Sequence, residues 1–226
     1  MEISLRHNPE YAVARLYLAP NEPLRLQTGA MMAHSPGIEI DARMEGGLMA
    51  GLKRSMLSGE GLFISSATAP PAGGWVDITP TLPGDIMPLT IQPQRPFFVS
   101  RGCWLANSYS VTTDSQWGTA QFSMLGQAGL GLQAYGQGTV VLSIYGALDI
   151  IDLQPGDQVV VDSGHVVAYD LSIAHQVRPA TSGTTWHTMR SGEGYVFDFA
   201  GPGRIFLQSR NPLALAAYVR AAAPSS

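Results

Sequence analysis

A chain of 226 residues is long enough for one large all-β domain with a substantial core of its own. Only 13% of the residues are charged, about half the usual share, while 25 glycines and 16 prolines imply many turns and much surface covered by the chain or by another subunit. The net charge of −4, with 12 arginines and a single lysine scattered along the sequence, disfavours a basic nucleic-acid face, and one cysteine excludes an internal disulfide framework and Cys-rich zinc sites.

The N-terminal "MEISLRHNPEYAVARLYLAP" has Glu2 at its start and lacks the apolar core of a signal peptide. No apolar run approaches the roughly 18 residues of a membrane span, so the expectation is a soluble, cytoplasmic protein.

From Pro20 the chain reads "PNEPLRLQTGAMMAHSPGIEI", and this segment aligns without gaps with "PQRPFFVSRGCWLANSYSV" from Pro93 and "PGDQVVVDSGHVVAYDLSI" from Pro155. The aligned glycines are Gly29, Gly102 and Gly164, and each is followed four residues later by an alanine, Ala33, Ala106 or Ala168. Before each glycine apolar residues alternate, at Leu24 and Leu26, Phe97 and Val99, Val159 and Val161. That is the period of a strand with one face inward.

A second element follows each copy: "GEGLFISS" from Gly59, "GQGTVVLSI" from Gly136 and "GEGYVFDF" from Gly192. These six glycines are read as structural turns or bulges. Each unit is therefore expected to be a hairpin, a Gly-rich excursion and a second hairpin. Three related units, about 1–72, 73–150 and 151–211, are expected to form one compact all-β body of sandwich or barrel-like form.

Helical signal is thin. Residues 46–59, "GGLMAGLKRSMLSG", offer a turn or two, with Leu48, Met49, Leu52 and Met56 beside Lys53 and Arg54. This stretch is a candidate interaction loop for a neighbouring subunit or for peripheral membrane contact. At the C-terminus Asn211 is an expected N-cap and Pro212 the first residue of a tail helix over 212–223.

No residue set amounts to a catalytic mechanism, and no cofactor or metal is expected. The five histidines, His7, His34, His165, His175 and His187, show no metal-binding spacing. His165 aligns with Ala30 and Cys103, so the scaffold does not require a histidine there. His165 and His175 share a face if residues 165–175 form one strand, which makes His165, Asp170 and His175 the candidates for a small-molecule pocket. Asp157 in "QPGD" and Asp85 in "LPGD" read as turn acceptors, and Cys103 before Trp104 as a packed thiol.

The ordered motifs "GGLMAGLKRSMLSGEG", "LPGDI", "YGQGTVVLSIYGAL", "LQPGDQVVVDSGHVVAY" and "GEGYVFDFAGPGRIFLQSRNP" give the chain a resemblance to the bacterial branch of the Altered Inheritance of Mitochondria family, over roughly residues 1–211. The resemblance implies an all-β protein related in fold to the tryptophan RNA-binding attenuation protein, assembled as an oligomer. The mitochondrial branch is associated with inner-membrane organisation, and the bacterial members carry no agreed catalytic residues to transfer. The Lys-rich rim that RNA binding would use is absent from this sequence.

The leading expectation is a non-enzymatic homo-oligomeric platform, preferably a trimer, with unknown protein partners. The rivals are a small-molecule-binding protein or enzyme with a pocket in the β body, and a membrane-associated scaffold using residues 46–57.

Overall fold

The computed structural model describes residues 1–41, 64–100, 102–114, 131–180 and 194–222. The interaction loop with Leu48, Met49, Leu52, Lys53, Arg54 and Met56 lies outside the described residues, as do Gly59, His187 and Gly192. Among the described residues the protein is all-β with one short C-terminal helix, and its sheets are open rather than closed into a barrel.

The strands up to the first undescribed segment are β1 (Glu2–Arg6), β2 (Val13–Leu18), β3 (Pro23–Gln27), β4 (Met31–His34) and β5 (Glu39–Asp41). Next come β6 (Ile64–Thr68), β7 (Gly74–Ile78), β8 (Gly84–Ile91), β9 (Phe97–Ser100), β10 (Trp104–Ser108) and β11 (Val111–Asp114). After residue 130 follow β12 (Gly131–Gly136), β13 (Gly138–Tyr145), β14 (Leu148–Leu153), β15 (Gln158–Asp162), β16 (Val166–Asp170) and β17 (Ala174–Pro179). The chain ends with β18 (Tyr195–Ala200), β19 (Gly203–Gln208) and helix α1 (Pro212–Ala222). Asn211 caps α1 through its Oδ1, which accepts the Leu213 N–H at 2.9 Å, so the helix start follows the sequence expectation.

Two sheets have six strands, in the orders β5-β6-β3-β10-β13-β8 and β11-β12-β9-β16-β19-β14. Adding six to every strand number of the first produces the second. The remaining sheets, β1-β2-β7-β4 and β15-β18-β17, correspond to the two halves of the same order, with β1 added at one edge. Register follows the same rule. The β4–β7, β10–β13 and β16–β19 pairs each carry an irregularity just before an alanine, between Met31 and Ala33, Trp104 and Ala106, Val166 and Ala168.

Hairpins form across the excursions, joining β5 to β6, β11 to β12 and β17 to β18. The turn glycines do something else: Gly29 links β3 to β4 and Gly102 links β9 to β10, strands of different sheets. Both adopt positive φ, +87° and +83°, with open space where a Cβ would stand, so their backbone conformation is what requires glycine. Gly164 occupies a 3-10 turn over Ser163–His165, and there a Cβ would lie 2.2 Å from Asn211 Nδ2, so the Asn211 amide would have to move. One aligned glycine thus has two physical reasons.

The alternating apolar residues build three cores. Leu16, Leu24, Leu26, Ile78 and Leu105 fill the first, Phe97, Val99, Trp104, Leu132 and Val140 the second. Phe98, Tyr169, Phe197, Phe199 and Ile205 fill the third. β9 therefore serves two cores from its two faces, with Phe97 and Val99 on one side and Phe98 on the other.

One buried carboxylate ties down the β1-β2-β7-β4 sheet. Asp77 on β7 accepts from Arg15 Nε and Nη2, both at 2.8 Å, and from Arg6 Nη2 at 2.9 Å, while the Arg15 guanidinium lies 3.8 Å from the Trp75 ring centroid. Hydrogen bonding from Arg15, opposed by burial and reinforced by Arg6, lowers the Asp77 pKa to about 2. Its stabilisation is present above the ordinary carboxylate value of 3.8 and is lost as pH falls through about 2. Urea titrations between pH 5 and pH 2 should show this residue's contribution, about 2 kcal/mol, disappearing across that window. Asp77→Asn should be less stable at pH 5 and flatter below it.

Candidate functional site

The three pocket candidates stand on adjoining elements without converging. His165 ends the 3-10 turn and Asp170 ends β16, so they occupy opposite ends of one strand. His165 Nδ1 is 2.7 Å from the Gln208 carbonyl oxygen, which makes it a donor to β19. The Gln208 side chain completes this corner: its Oε1 accepts the Tyr145 N–H at 3.0 Å and its Nε2 donates to the Gly164 carbonyl at 2.9 Å. His165 belongs to a polar bridge that closes the β13, β16 and β19 ends over one another.

Residues 165–175 are two strands rather than one. Asp170 Oδ1 accepts from both Ser172 N at 2.9 Å and Ser172 Oγ at 2.8 Å, and this side-chain-to-backbone bond turns the chain out of β16. Its other oxygen accepts from Arg95 Nε. Burial acts to raise the Asp170 pKa, but the Arg95 and Ser172 hydrogen bonds outweigh it and the carboxyl is held below its ordinary value. Both oxygens of the carboxylate are therefore committed to structural donors.

His175, on β17, donates from Nδ1 to the Ile173 carbonyl at 3.0 Å, and its Nε2 lies 3.2 Å from Tyr169 Oη. Asp170 lines a polar cleft of about 710 Å³ with Arg95, Asp152, Ser172 and Arg204. His175 lines a different one of about 460 Å³ beside Val159, Val160 and Asp198. In the first cleft the two arginines are already matched, Arg95 to Asp170 and Arg204 to Asp152. Among the described residues no three His, Cys, Asp or Glu side chains are grouped to hold a metal ion, and no buried side-chain polar atom lacks a partner.

Cys103 is buried, 3.9 Å from Gln208 Oε1, and burial pushes its thiol pKa up to about 12. Almost no thiolate exists at neutral pH. Maleimide labelling at pH 8 should leave native protein unmodified and modify the thiol only after guanidinium unfolding; rapid labelling of the native chain would contradict the burial.

Two sheet edges are more distinctive than either cleft. β10 and β16 are buried along nearly their whole length between two neighbours, whereas β4, their counterpart six and twelve strands earlier, has among the described residues β7 on one side only. Met32 of β4 is 58% exposed, while the corresponding Leu105 and Val167 are 1% and 0% exposed. β15 mirrors this at the far end, with β18 on one side and Val160 57% exposed. Its counterpart Phe98 on β9 is 1% exposed, stacked on Tyr169 at 4.7 Å between centroids. Alternation in "PLRLQTG" and "DQVVVDSG" looks alike, and only the sheet order separates a covered strand from an open one.

Residues 3–210 match the family described as Mitochondrial biogenesis AIM24. The chain belongs to that family. A crystal structure of a Streptococcus pyogenes protein is similar to this AIM24 chain, with a TM-score of 0.80 and 26% identity, covering 98% of this chain and 99% of that one. An uncharacterised protein of Streptococcus pyogenes serotype M6 is 26% identical over 221 residues, 93% of this chain and 86% of its own length. Among the described residues of this AIM24 protein, no helix is long and apolar enough to cross a membrane.

Proposed function

We propose that this chain is a non-enzymatic homo-oligomeric platform whose copies assemble through their own sheet edges, with a homotrimer as the preferred state. The observation that carries it is the pair of strands β4 and β15, open among the described residues, whose counterparts within the chain are covered. Open edges present unpaired N–H and C=O groups, and proteins that keep them exposed usually protect them with lysine, proline or inward charge. β15 has three consecutive valines, Val159, Val160 and Val161, and no lysine or proline within the strand. A covered edge in the working protein is the economical reading of that composition.

The low charge also supports an assembly role over catalysis, as does the pairing of both arginines of the polar cleft with carboxylates, Arg95 with Asp170 and Arg204 with Asp152. In this reading the three related units, about 1–72, 73–150 and 151–211, are successive parts of one continuous arrangement that the next copy extends.

Native mass spectrometry of protein purified gently from its own host tests this directly. The expected species is ligand-free and three times the 24.1 kDa chain. A monomer at working concentration would overturn the platform reading. A stoichiometric small molecule retained by the protein would favour the pocket reading instead, and the Arg95 and Arg204 cleft would be the place to look first.

A further inference from the structure

We propose that copies join head to tail by pairing β4 of one with β15 of the next, antiparallel, in the register Ala33 to Val161, His34 to Val160 and Ser35 to Val159. This rests on the oligomeric reading above and specifies its contact; the partner is a second copy of this chain.

The template for the contact occurs twice inside the molecule. β10 pairs with β3 through Ala106 to Leu26, Asn107 to Arg25 and Ser108 to Leu24. β16 pairs with β9 through Ala168 to Val99, Tyr169 to Phe98 and Asp170 to Phe97. In both, the alanine four residues after the aligned glycine faces the residue three before the preceding copy's glycine. Applying the same offsets to the two strands left over, β4 and β15, yields the stated register with no free parameter. The irregularity between Met31 and Ala33, shared with β10 and β16, places β4 in the same phase against β7, so its free edge presents the same groups as theirs.

The side chains agree with the backbone. At each internal junction the residue four before the glycine reaches over to the following unit. Arg25 sets its guanidinium 4.2 Å from the Tyr109 ring centroid and donates to the Tyr109 carbonyl at 3.0 Å, and Phe98 stacks on Tyr169. Val160 holds that position on β15 and stands exposed; His34 holds the position of Asn107 and Tyr169 on β4 and is exposed where those two are fully buried. Joining the edges would merge β15-β18-β17 with β4-β7-β2 into the six-strand order found twice within the chain, with β1 beyond it. Because β4 and β15 are different surfaces, the contact is heterologous and closes as a ring when the rotation permits.

Disulfide trapping tests the register in the full chain, with the buried Cys103 as a silent background. Directly opposed residues of an antiparallel pair have Cβ atoms about 4.5–5.5 Å apart, within the reach of a disulfide that adjusts slightly. The double variant His34→Cys with Val160→Cys should, on mild oxidation, convert to covalently linked multiples on a non-reducing gel, up to three times 24.1 kDa. Each single variant should remain an oligomer by light scattering and give no cross-link, which also shows that it folds. His34→Cys with Val161→Cys should give none, because adjacent strand residues face opposite sides.

Cross-linking of His34→Cys alone would mean that two β4 edges meet, and would overturn the head-to-tail contact. An intact oligomer that fails to cross-link at 34 and 160 would overturn the register while leaving the platform reading standing. A monomeric wild-type protein would remove both.

Discussion

Replacing Tyr169 with alanine is expected to cost about 4 kcal/mol of folding free energy, within the range for deleting a fully buried aromatic ring. Tyr169 is 0% exposed and sits at the centre of the third core. Its ring stacks on Phe98 at 4.7 Å and meets Phe199 at 5.0 Å and Phe197 at 5.8 Å between centroids. Because Phe98 belongs to β9 and Phe197 and Phe199 to β18, the loss would separate two sheets as well as open a cavity. Tyr169→Phe keeps the rings and removes only the hydroxyl bonded to His175 Nε2, so its cost should be about 1 kcal/mol. Urea unfolding monitored by circular dichroism gives both values. Equal losses for the two variants would show that the hydroxyl, rather than the ring, holds this core.

The second large effect is expected from the smallest substitution. Gly84→Ala would place a Cβ 1.9 Å from the Ile144 carbonyl oxygen and 2.6 Å from Gly146 N. Both are backbone atoms of a neighbouring strand and its turn, so no side-chain rotation relieves the clash. Gly84 opens β8, which pairs with β13 along eight successive positions, and its carbonyl accepts the Ala12 N–H at 2.9 Å. Moving it would disturb the sheet of β8 and β13 and its tie to the residue before β2. The expected cost is about 3 kcal/mol, readable as a lowered urea midpoint with an unchanged slope. A neutral Gly84→Ala would show that the β8 entry shifts without strain. By contrast, Gly29→Ala meets no atom within 4 Å and carries only the cost of its positive φ.

The two expectations also bear on assembly. Tyr169 and Phe98 form the internal version of the junction proposed between copies, with His34 and Val160 in the corresponding places. One internal pair is two aromatic rings and the other is Asn107 opposite Arg25, and the proposed external pair lies between them in polarity.

The sequence by itself determined the all-β class, the extended segments around the aligned glycines and the end helix. Alternation at Leu24 and Leu26 or Phe97 and Val99 requires an extended backbone with one face inward, and Asn211 before Pro212 specifies a helix start from local hydrogen bonding alone. The aligned glycines and alanines also carried the phase of each strand, because a bulge is a local feature. The partners of those strands were not legible. Alternation records which face is buried and says nothing of which edge is bonded, so the hairpins fell across the excursions and the glycine links ran between sheets.

The roles of the candidate residues were likewise decided by tertiary structure. His165 bonds to Gln208, which is 43 residues away, and Asp170 to Arg95, which is 75 residues away. No short motif encodes either pairing, and the turn at Ser172 breaks the single strand on which a shared face for His165 and His175 depended. The open edges were hidden for the same reason. Val160 and Phe98 occupy the same place in the alternating pattern, and only the existence of a neighbouring strand makes one of them core and the other surface.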